Sequence, residues 1–339
     1  MKKKGVITFQ KSIFLLSVVL FALKLLGWLL TQSNALLSDA LESTANIAAA
    51  LFGFLSLRTA VKPKDEDHPY GHGKIEFVAA TFEGTVITLS GIMILIKVVY
   101  NFFVPELPEN LGVGMVISWL AGAVNGVAGF WALRVGQRSR SAVLKSAGLH
   151  LLSDAVSTAG VALGLSLAVL THWLILDNLT ALVFGLVLGV MGVRMVRRSI
   201  HDIMDRADPE LLQRLARFLE ENRKAEWVDI HNLRLIKYGS DIHIDAHVTV
   251  PFFYTLQQAH DVSEDLTRKM SEHLGPNTES FIHLDPCLPP LCQYCQMTEC
   301  HGRSAPFKTK IKWTPALLQR NAKHHKAPTS GEIQGLHDE

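Results

Sequence analysis

The chain has 339 residues, of which 48% are hydrophobic and 19% are charged. Soluble domains average about 25% charged residues, so this composition indicates a membrane protein and argues against a wholly soluble one. With 33 basic and 31 acidic residues the formal net charge is only +2, and no basic run predicts a nucleic-acid partner. The apolar blocks end near Arg198, which predicts a membrane domain at residues 1–201 and a soluble part after it.

Six apolar segments are long enough to cross about 30 Å of hydrocarbon, which takes about 20 residues of helix. They are Ile13–Leu30, Leu36–Leu57, Phe77–Phe103, Val113–Leu133, Val143–Trp173 and Leu179–Val196. The first segment follows three lysines, as the core of a signal peptide does. It is longer than such a core and no small-residue cleavage site follows it, so we expect it to be the first of six membrane-spanning helices.

Lysine and arginine residues predict the orientation of these helices. They crowd the N-terminus, the loops after the second and fourth segments, and the end of the sixth segment, whereas the other three connections are nearly free of them. Loops rich in Lys and Arg stay in the cytoplasm. Both termini are therefore expected to be cytoplasmic, and an even number of spans agrees with this.

The soluble part begins with an α-β-β-α-β pattern at residues 202–286. Its elements are predicted at Pro209–Arg223, Val228–Ile236, Asp241–Val250, Leu256–Leu274 and Ser280–Leu284. The second strand alternates apolar and polar residues, which is typical of a strand with one buried face. We expect a small α+β domain with its helices on one face of the sheet. Residues 287–339 are expected to form a tail without a core of its own.

Two ionisable residues lie inside the fifth apolar segment. His150 and Asp154 are four residues apart and therefore share one face of a helix. Such residues are costly at membrane depth and indicate a functional site. The second segment offers Asp39, Glu42 and Asn46 along one stripe. Nitrogen and oxygen ligands of this kind suit Zn²⁺, Fe²⁺, Co²⁺ or Mn²⁺, and the alternative is a polar cluster that only joins helices.

The loop between the second and third segments is rich in acids and histidines. It reads Asp-Glu-Asp-His-Pro-Tyr-Gly-His-Gly-Lys from Asp65 to Lys74. This composition fits a metal-access site at the membrane surface and fits a solvated loop equally well.

The order of the motifs resembles the cation diffusion facilitator family, and is similar to its bacterial zinc and iron efflux members. The resemblance runs from about residue 10 to residue 286, and its motifs are His68-Pro-Tyr-Gly-His-Gly-Lys74 with Glu76, His150-x-x-x-Asp154, Asp205-Arg206 and His283-x-Asp285-Pro286. It implies a homodimer in the cytoplasmic (inner) membrane that exports divalent cations in exchange for protons by alternating access. It also implies a metallochaperone-like cytoplasmic domain, and a transporter rather than an enzyme.

The resemblance implies ligands at several positions of this chain. The transport-site residues are Glu42, Asn46, His150 and Asp154, with Asp39 as a further candidate. The family usually has Asp or His at the first of these positions and Asp at the second. Its metal preference therefore does not carry over; zinc is the first expectation, with iron, cobalt, manganese and cadmium as alternatives.

Two further metal sites and one ion pair are also implied by the resemblance. The loop site is Asp65 with His68, and the ion pair joins Lys74 to Asp205. The cytoplasmic cluster, which is expected to bridge the dimer, consists of His231, His247, His260, His283 and Asp285.

The tail contains all four cysteines of the chain, Cys287, Cys292, Cys295 and Cys300, and the last is followed by His301. They predict a zinc site of four thiolates, or of three thiolates and one imidazole. The opening spacing is also that of plant-type iron–sulfur ferredoxins, and a reduced, unliganded tail is the third alternative.

Two other function classes compete with transport. A membrane metal sensor or binding protein would use the same ligands without moving the metal. An intramembrane metalloenzyme is disfavoured because the chain lacks a His-Glu-x-x-His motif.

Overall fold

The structure is a computed structural model that describes residues 3–31, 34–103, 113–171 and 175–324. The chain divides into two units, Met1–Met204 with Tyr238–Ser240, and Asp205–Lys237 with Asp241–Glu339. The described part of the first unit is helical, whereas the second combines helices with a three-stranded sheet. This agrees with the predicted order of a helical domain followed by a small α+β domain.

Six long helices make up the described part of the first unit. They are α1 (Lys3–Thr31), α2 (Asn34–Ala60), α3 (Ile75–Phe103), α4 (Val113–Ser139), α5 (Ala142–Thr171) and α6 (Ile175–Ile203). Each has 27 to 30 residues, and such a helix is about 40–45 Å long. All six are therefore longer than the hydrocarbon layer of a bilayer is thick.

Three stretches among the described residues are both long and apolar enough to cross a membrane by length and composition alone. They are Gly5–Leu26, Ile75–Phe103 and Asn178–Ile203. Helix α2 contains a shorter apolar stretch, Asn46–Ala60. These three stretches lie in α1, α3 and α6, and by this criterion the other three predicted spans stay predictions.

Helix α5 is tightly packed along its first half. A Cβ atom on Gly148 would lie 2.7 Å from the backbone nitrogen of Leu133 in α4, so only glycine allows this approach of the two helices. Leu144 and Leu151 are buried in a core to which α1, α2, α3 and α4 also contribute. This packing fixes the part of α5 that carries His150.

The first turn of α5 is held by a buried carboxylate from α3. The Ser141 hydroxyl donates to Glu76 Oε2 at 2.6 Å, and the backbone N–H of Val143 donates to the same oxygen at 3.4 Å. Glu76 and Ser141 are both buried. Helix N-termini attract negative charge because their N–H groups lack partners within the helix. Glu76 therefore fixes where α5 begins, about two and a half turns before His150.

The second unit has the predicted α-β-β-α-β order. Its elements are α7 (Pro209–Glu221), β1 (Asp229–Tyr238), β2 (Asp241–Val250), α8 (Leu256–Leu274) and β3 (Thr278–Pro286). The strands lie in the order β1-β2-β3, and β2 and β3 are parallel, with His247 opposite His283 and Thr249 opposite Asp285. This register brings polar residues from two strands to one place.

The apolar face of β2 forms the centre of the second unit's core. Its buried residues are Ile242, Ile244, Ala246, Val248 and Val250, as the alternating pattern predicts. Trp313 and Leu318 lie in the same core, although both stand beyond residue 286. The described tail thus shares the core of the domain and adds a short helix to it, α9 (Pro315–Leu318).

Asp208 caps helix α7 and also forms an ion pair with Lys237. Its carboxylate accepts the backbone N–H groups of Glu210 at 3.0 Å and Leu211 at 3.1 Å. Burial acts to raise the pKa of Asp208, but the Lys237 ammonium and these two N–H groups outweigh it and hold that pKa below its usual range. The charged carboxylate therefore stabilises the folded state.

We predict that Asp208→Asn makes the second unit less sensitive to acid. In the wild type the charge of Asp208 stabilises the fold above about pH 4, and this contribution is lost as the pH falls through the lowered pKa. Asparagine keeps an oxygen that can cap the helix but has no charge to lose. Denaturant unfolding of both proteins between pH 7 and acid should show a stability difference that shrinks with falling pH. A difference independent of pH would contradict the assignment.

Candidate metal centres

One amide side chain joins α2 to α5 at the predicted transport site. Asn46 Nδ2 donates to Asp154 Oδ2 at 2.7 Å, and His150 Nε2 lies 2.9 Å from Asn46 Oδ1. With Nδ2 facing Asp154, the contact at Oδ1 is a hydrogen bond only for the tautomer with a proton on His150 Nε2. His150 is 6% exposed. The structure therefore brings together three of the predicted ligands.

The side chains of Asp39 and Glu42 lie outside the described residues. The backbone of α2 carries both, and Glu42 stands one helical turn before Asn46, on the same face. Their roles as ligands stay predictions.

Lys24 is a polar residue near this site that the sequence interpretation missed. Its ammonium donates to the Ser43 hydroxyl at 2.9 Å, and both residues are buried. Ser43 follows Glu42 directly. A lysine in the middle of an apolar segment is itself a sign of function. Lys24 lies eleven residues after Ile13, where the first apolar segment begins, so the sequence alone shows it.

The loop before α3 brings together three ligands, one more than expected. His68 Nδ1 lies 3.0 Å from Asp65 Oδ1, and His72 Nε2 lies 3.3 Å from Asp65 Oδ2. Desolvation acts to raise the pKa of Asp65, but the His68 hydrogen bonds and the nearby imidazoles outweigh it and lower that pKa. Single ligand atoms of the three residues all lie within 4.8 Å of one another. The His68-x-x-x-His72 spacing was the signal for the third ligand.

A second group of three ligands lies on the sheet of the second unit. Asp285 Oδ2 is 3.5 Å from His231 Nε2 and 3.3 Å from His247 Nδ1, and these atoms lie within 4.8 Å of one another. His283 Nε2 is 3.7 Å from the other Asp285 oxygen. His260 is not in this group; it is exposed on α8, with Nε2 3.6 Å from Glu264 Oε1. Two imidazoles and a carboxylate fit Zn²⁺ and similar divalent cations.

Asp229 lies behind His231, and the tail contacts Asp229. His231 Nδ1 lies 3.3 Å from Asp229 Oδ2, which leaves Nε2 facing Asp285. His324 Nδ1 contacts the other oxygen of Asp229, while His324 Nε2 lies 2.8 Å from the carbonyl oxygen of Leu317. Burial acts to raise the pKa of Asp229, but its contacts with His231 and His324 outweigh this and hold the pKa far below its usual range. A carboxylate behind a metal-binding histidine fixes the tautomer and the ring orientation.

Lys323 places a cation beside the same cluster. Its ammonium lies 3.7 Å from Asp285 Oδ1 and donates to the carbonyl oxygen of Pro286 at 3.1 Å. A positive charge beside a ligand carboxylate repels a metal ion, so two adjacent tail residues act on the cluster in opposite ways. The sequence suggested His324 only as part of a loose metal-gathering tail and did not single out Lys323, because both lie far along the chain from Asp285.

The four cysteines are all free thiols in the described part of the tail. Burial raises the pKa of Cys287, and the other three cysteines raise it further. Burial also acts to raise the pKa of Cys292, but hydrogen bonds from Ser304 and Ala305 and the Arg303 charge leave it below its usual range. The thiols are therefore close enough to influence one another. Lys74 donates to the carbonyl oxygen of Ile203 at 3.3 Å, and its ion pair with Asp205 stays a prediction.

Two protein families match this chain in succession. Residues 11–204 match the cation efflux transmembrane domain, and residues 207–287 match the cytoplasmic domain of cation efflux proteins. The chain belongs to the cation diffusion facilitator family. Members of this family are multi-pass membrane transporters of cations and not enzymes, and the predicted fold class is confirmed.

Relatives of the chain come from several bacteria. An uncharacterised transporter of Synechocystis sp. is 33% identical over 266 residues, which is 78% of this chain and 85% of that protein. The cation-efflux pump FieF of Shewanella oneidensis is 29% identical over 271 residues, 80% of this chain and 90% of the pump. The manganese efflux system protein MneS of Bacillus subtilis is 28% identical over 275 residues, 79% of this chain and 91% of that protein.

We predict that His324→Ala weakens metal binding at the cytoplasmic cluster by less than the roughly 10- to 100-fold typical of losing a direct partner of a metal ligand, because His324 acts through Asp229. Lys323→Met should strengthen it, because a repelling charge is removed. Zinc titration of the full chain against a chelating dye measures the zinc affinity of both variants. The variant Asp285→Ala identifies the part of the signal that belongs to the cluster. General loosening of the tail would shift both variants in the same direction, and that result would contradict the two roles.

Proposed function

We propose that this chain is a homodimeric exporter of divalent cations in the cytoplasmic (inner) membrane, with both termini in the cytoplasm. It exchanges metal ions for protons by alternating between inward-facing and outward-facing states. Membership of the cation diffusion facilitator family supports transport. The basic residues beside the helix ends support the orientation, and the match to a cytoplasmic efflux domain supports dimerisation through residues 207–287.

The observation that carries the proposal is the contact of His150 Nε2 with Asn46 Oδ1 at 2.9 Å, in a site where the Asn46 amide also bonds Asp154. A proton on Nε2 makes this contact a hydrogen bond. A metal ion at Nε2 must replace the proton, so metal binding releases protons and protons expel metal. An unperturbed imidazole titrates near about pH 6.5, which lies in the range where a cell can drive such an exchange.

The proposed transport site consists of Glu42, Asn46, His150 and Asp154, with Asp39 as an additional candidate ligand. Asn46 is the unusual member, because an amide oxygen is a neutral and weaker ligand than a carboxylate. Zinc is the first candidate cargo, since imidazole and carboxylate ligands suit it. Carbonyl-type oxygens also suit manganese, and MneS, a relative, is by its name a manganese efflux protein. Iron, cobalt and cadmium are further candidates.

The other two ligand groups have supporting roles in the proposal. Asp65, His68 and His72 gather metal ions at the loop before α3. His231, His247, His283 and Asp285 bind metal in the cytoplasmic domain and, as the family resemblance implies, help to hold the dimer. The family resemblance adds His260 to this cluster. Because His260 is exposed on α8, it either binds a metal ion together with a second protomer or is not a ligand.

We predict that His150→Ala and Asp154→Ala each reduce metal-dependent proton release from sealed proteoliposomes to the level of protein-free vesicles. Each variant removes a ligand, and the first also removes the exchanged proton. His301→Ala, which changes an exposed histidine of the tail, is the matched control and should transport normally. Normal flux in both α5 variants would refute the site.

The same assay separates transport from the competing function. A metal sensor or binding protein would show no flux with any cation, although zinc would still bind at the cytoplasmic cluster. Flux that is abolished by His150→Ala with cluster binding intact supports export.

We predict that Asn46→Asp shifts selectivity toward zinc over manganese by about tenfold, which corresponds to about 1.4 kcal/mol. A carboxylate attracts the metal more strongly, and it also adds a group that must lose its proton. Transport by the variant should therefore fall more steeply as the pH is lowered from 8 to 6. Asn46→Gln, which keeps an amide but lengthens the side chain, controls for shape. If selectivity and pH profile are the same in the wild type and Asn46→Asp, the role of the amide is refuted.

A further inference from the structure

The cysteine segment lies outside both family matches. The second match ends at residue 287, so Cys292, Cys295 and Cys300 belong to a part of the chain that the transport fold does not explain. Residues 287–303, which we call the knuckle, contain every cysteine of the protein. Oxygen and nitrogen ligands make up the other candidate sites, and the knuckle therefore differs from them in chemistry.

The backbone of the knuckle is folded into a defined loop. A 3₁₀ turn spans Pro289–Leu291, and the N–H of Cys292 donates to the carbonyl oxygen of Pro289 at 3.1 Å. The guanidinium of Arg303 then bonds four carbonyl oxygens, those of Cys292 at 3.0 Å, Cys295 at 3.2 Å, Ala305 at 3.4 Å and Met297. One cation thus holds both sides of the loop and supplies positive charge next to the sulfur atoms.

A backbone N–H group points at one of the sulfur atoms. The N–H of Phe252 donates to Cys287 Sγ at 3.4 Å. Hydrogen bonds of this kind stabilise a thiolate, which is the form of cysteine that binds metals. An apolar structural cysteine does not need them.

The knuckle is anchored on one side and irregular on the other. The N–H of Cys287 donates to the carbonyl oxygen of Val250 at 2.9 Å, which continues the ladder of β2 and β3. Cys295 is buried with Val228 and Leu291. The stretch at residues 296–300, by contrast, has no helix or strand, so Cys300 lies in the segment that can adjust most easily.

We propose that Cys287, Cys292, Cys295 and Cys300 bind one divalent cation of the zinc class through four thiolates. Four sulfur ligands complete a tetrahedral shell, and Arg303 offsets part of the resulting negative charge. His301 is exposed, with its ring 6.2 Å from that of Phe253, which leaves the fourth position to a thiolate.

Metal binding closes the knuckle. In the described part of the chain, the groups of three ligand atoms within 4.8 Å contain no cysteine, whereas zinc–sulfur bonds of about 2.3 Å place the sulfurs about 3.8 Å apart. Cys287, Cys292 and Cys295 do not form such a group by themselves, so binding has to draw these three sulfur atoms together as well as bring Cys300 to them. The bound cation then fixes the tail against the domain whose core Trp313 completes.

The test uses the reduced, chelator-treated full chain in detergent, titrated with Co²⁺ and then with Zn²⁺. We expect thiolate-to-cobalt charge-transfer absorption that saturates at one equivalent per protomer and is lost on addition of zinc. The double variant His231→Ala and Asp285→Ala, which removes the cytoplasmic cluster, should keep this absorption. Changing the four cysteines to serine should abolish it.

Protection of the thiols from alkylation tests the proposal on the unmutated protein. Zinc should slow the reaction of all four thiols with iodoacetamide, and a chelator should restore it. Cobalt binding without thiolate absorption, unprotected thiols, or the broad visible absorption of an iron–sulfur cluster in the purified chain would each overturn the proposal.

Discussion

A buried polar group inside a membrane domain must find a partner within the protein, and this constraint shapes the centre of the transport domain. The Asn46 amide meets it by donating to Asp154 and accepting from His150, so that one side chain satisfies two ionisable groups and joins α2 to α5. The amide cannot be satisfied in this way unless α5 is held in register. The buried Glu76–Ser141 pair at the start of α5 and the glycine contacts with α4 hold it there.

In the cytoplasmic domain, the polar groups that contact the buried histidines are carboxylates that lie between them. Asp285 lies between His231 and His247, and Asp229 lies between His231 and His324. His231 therefore has a carboxylate near each of its two ring nitrogens. The tail is part of this arrangement, because it supplies His324 and Lys323 to the cluster and Trp313 to the core. The geometry of this candidate metal site thus includes residues that lie outside the matched family domains.

Periodic patterns predicted the regular elements well because those patterns are local. The six apolar segments correspond to α1–α6, and the alternation in β2 identified its buried face. The predicted ligands of the cytoplasmic cluster, His260 included, came from a family resemblance, since His231 and Asp285 look like ordinary strand residues by themselves. The third loop ligand, His72, could be seen in the sequence as a histidine four residues after His68. The contact between Asp229 and His324 had no local sequence signal, because 95 residues separate them.

The sequence by itself determined the class of the protein: a helical membrane domain, an α+β domain, the family, and the residue types available for metal binding. These follow from hydropathy, periodicity and motif order, all of which are properties of neighbouring residues. Only the tertiary structure decided which ligands meet, that Asn46 bridges His150 and Asp154, that Lys24 is buried beside Ser43, and that the tail reaches the cytoplasmic cluster. Such contacts join distant parts of the chain, and the packing that creates them leaves no pattern in any one segment.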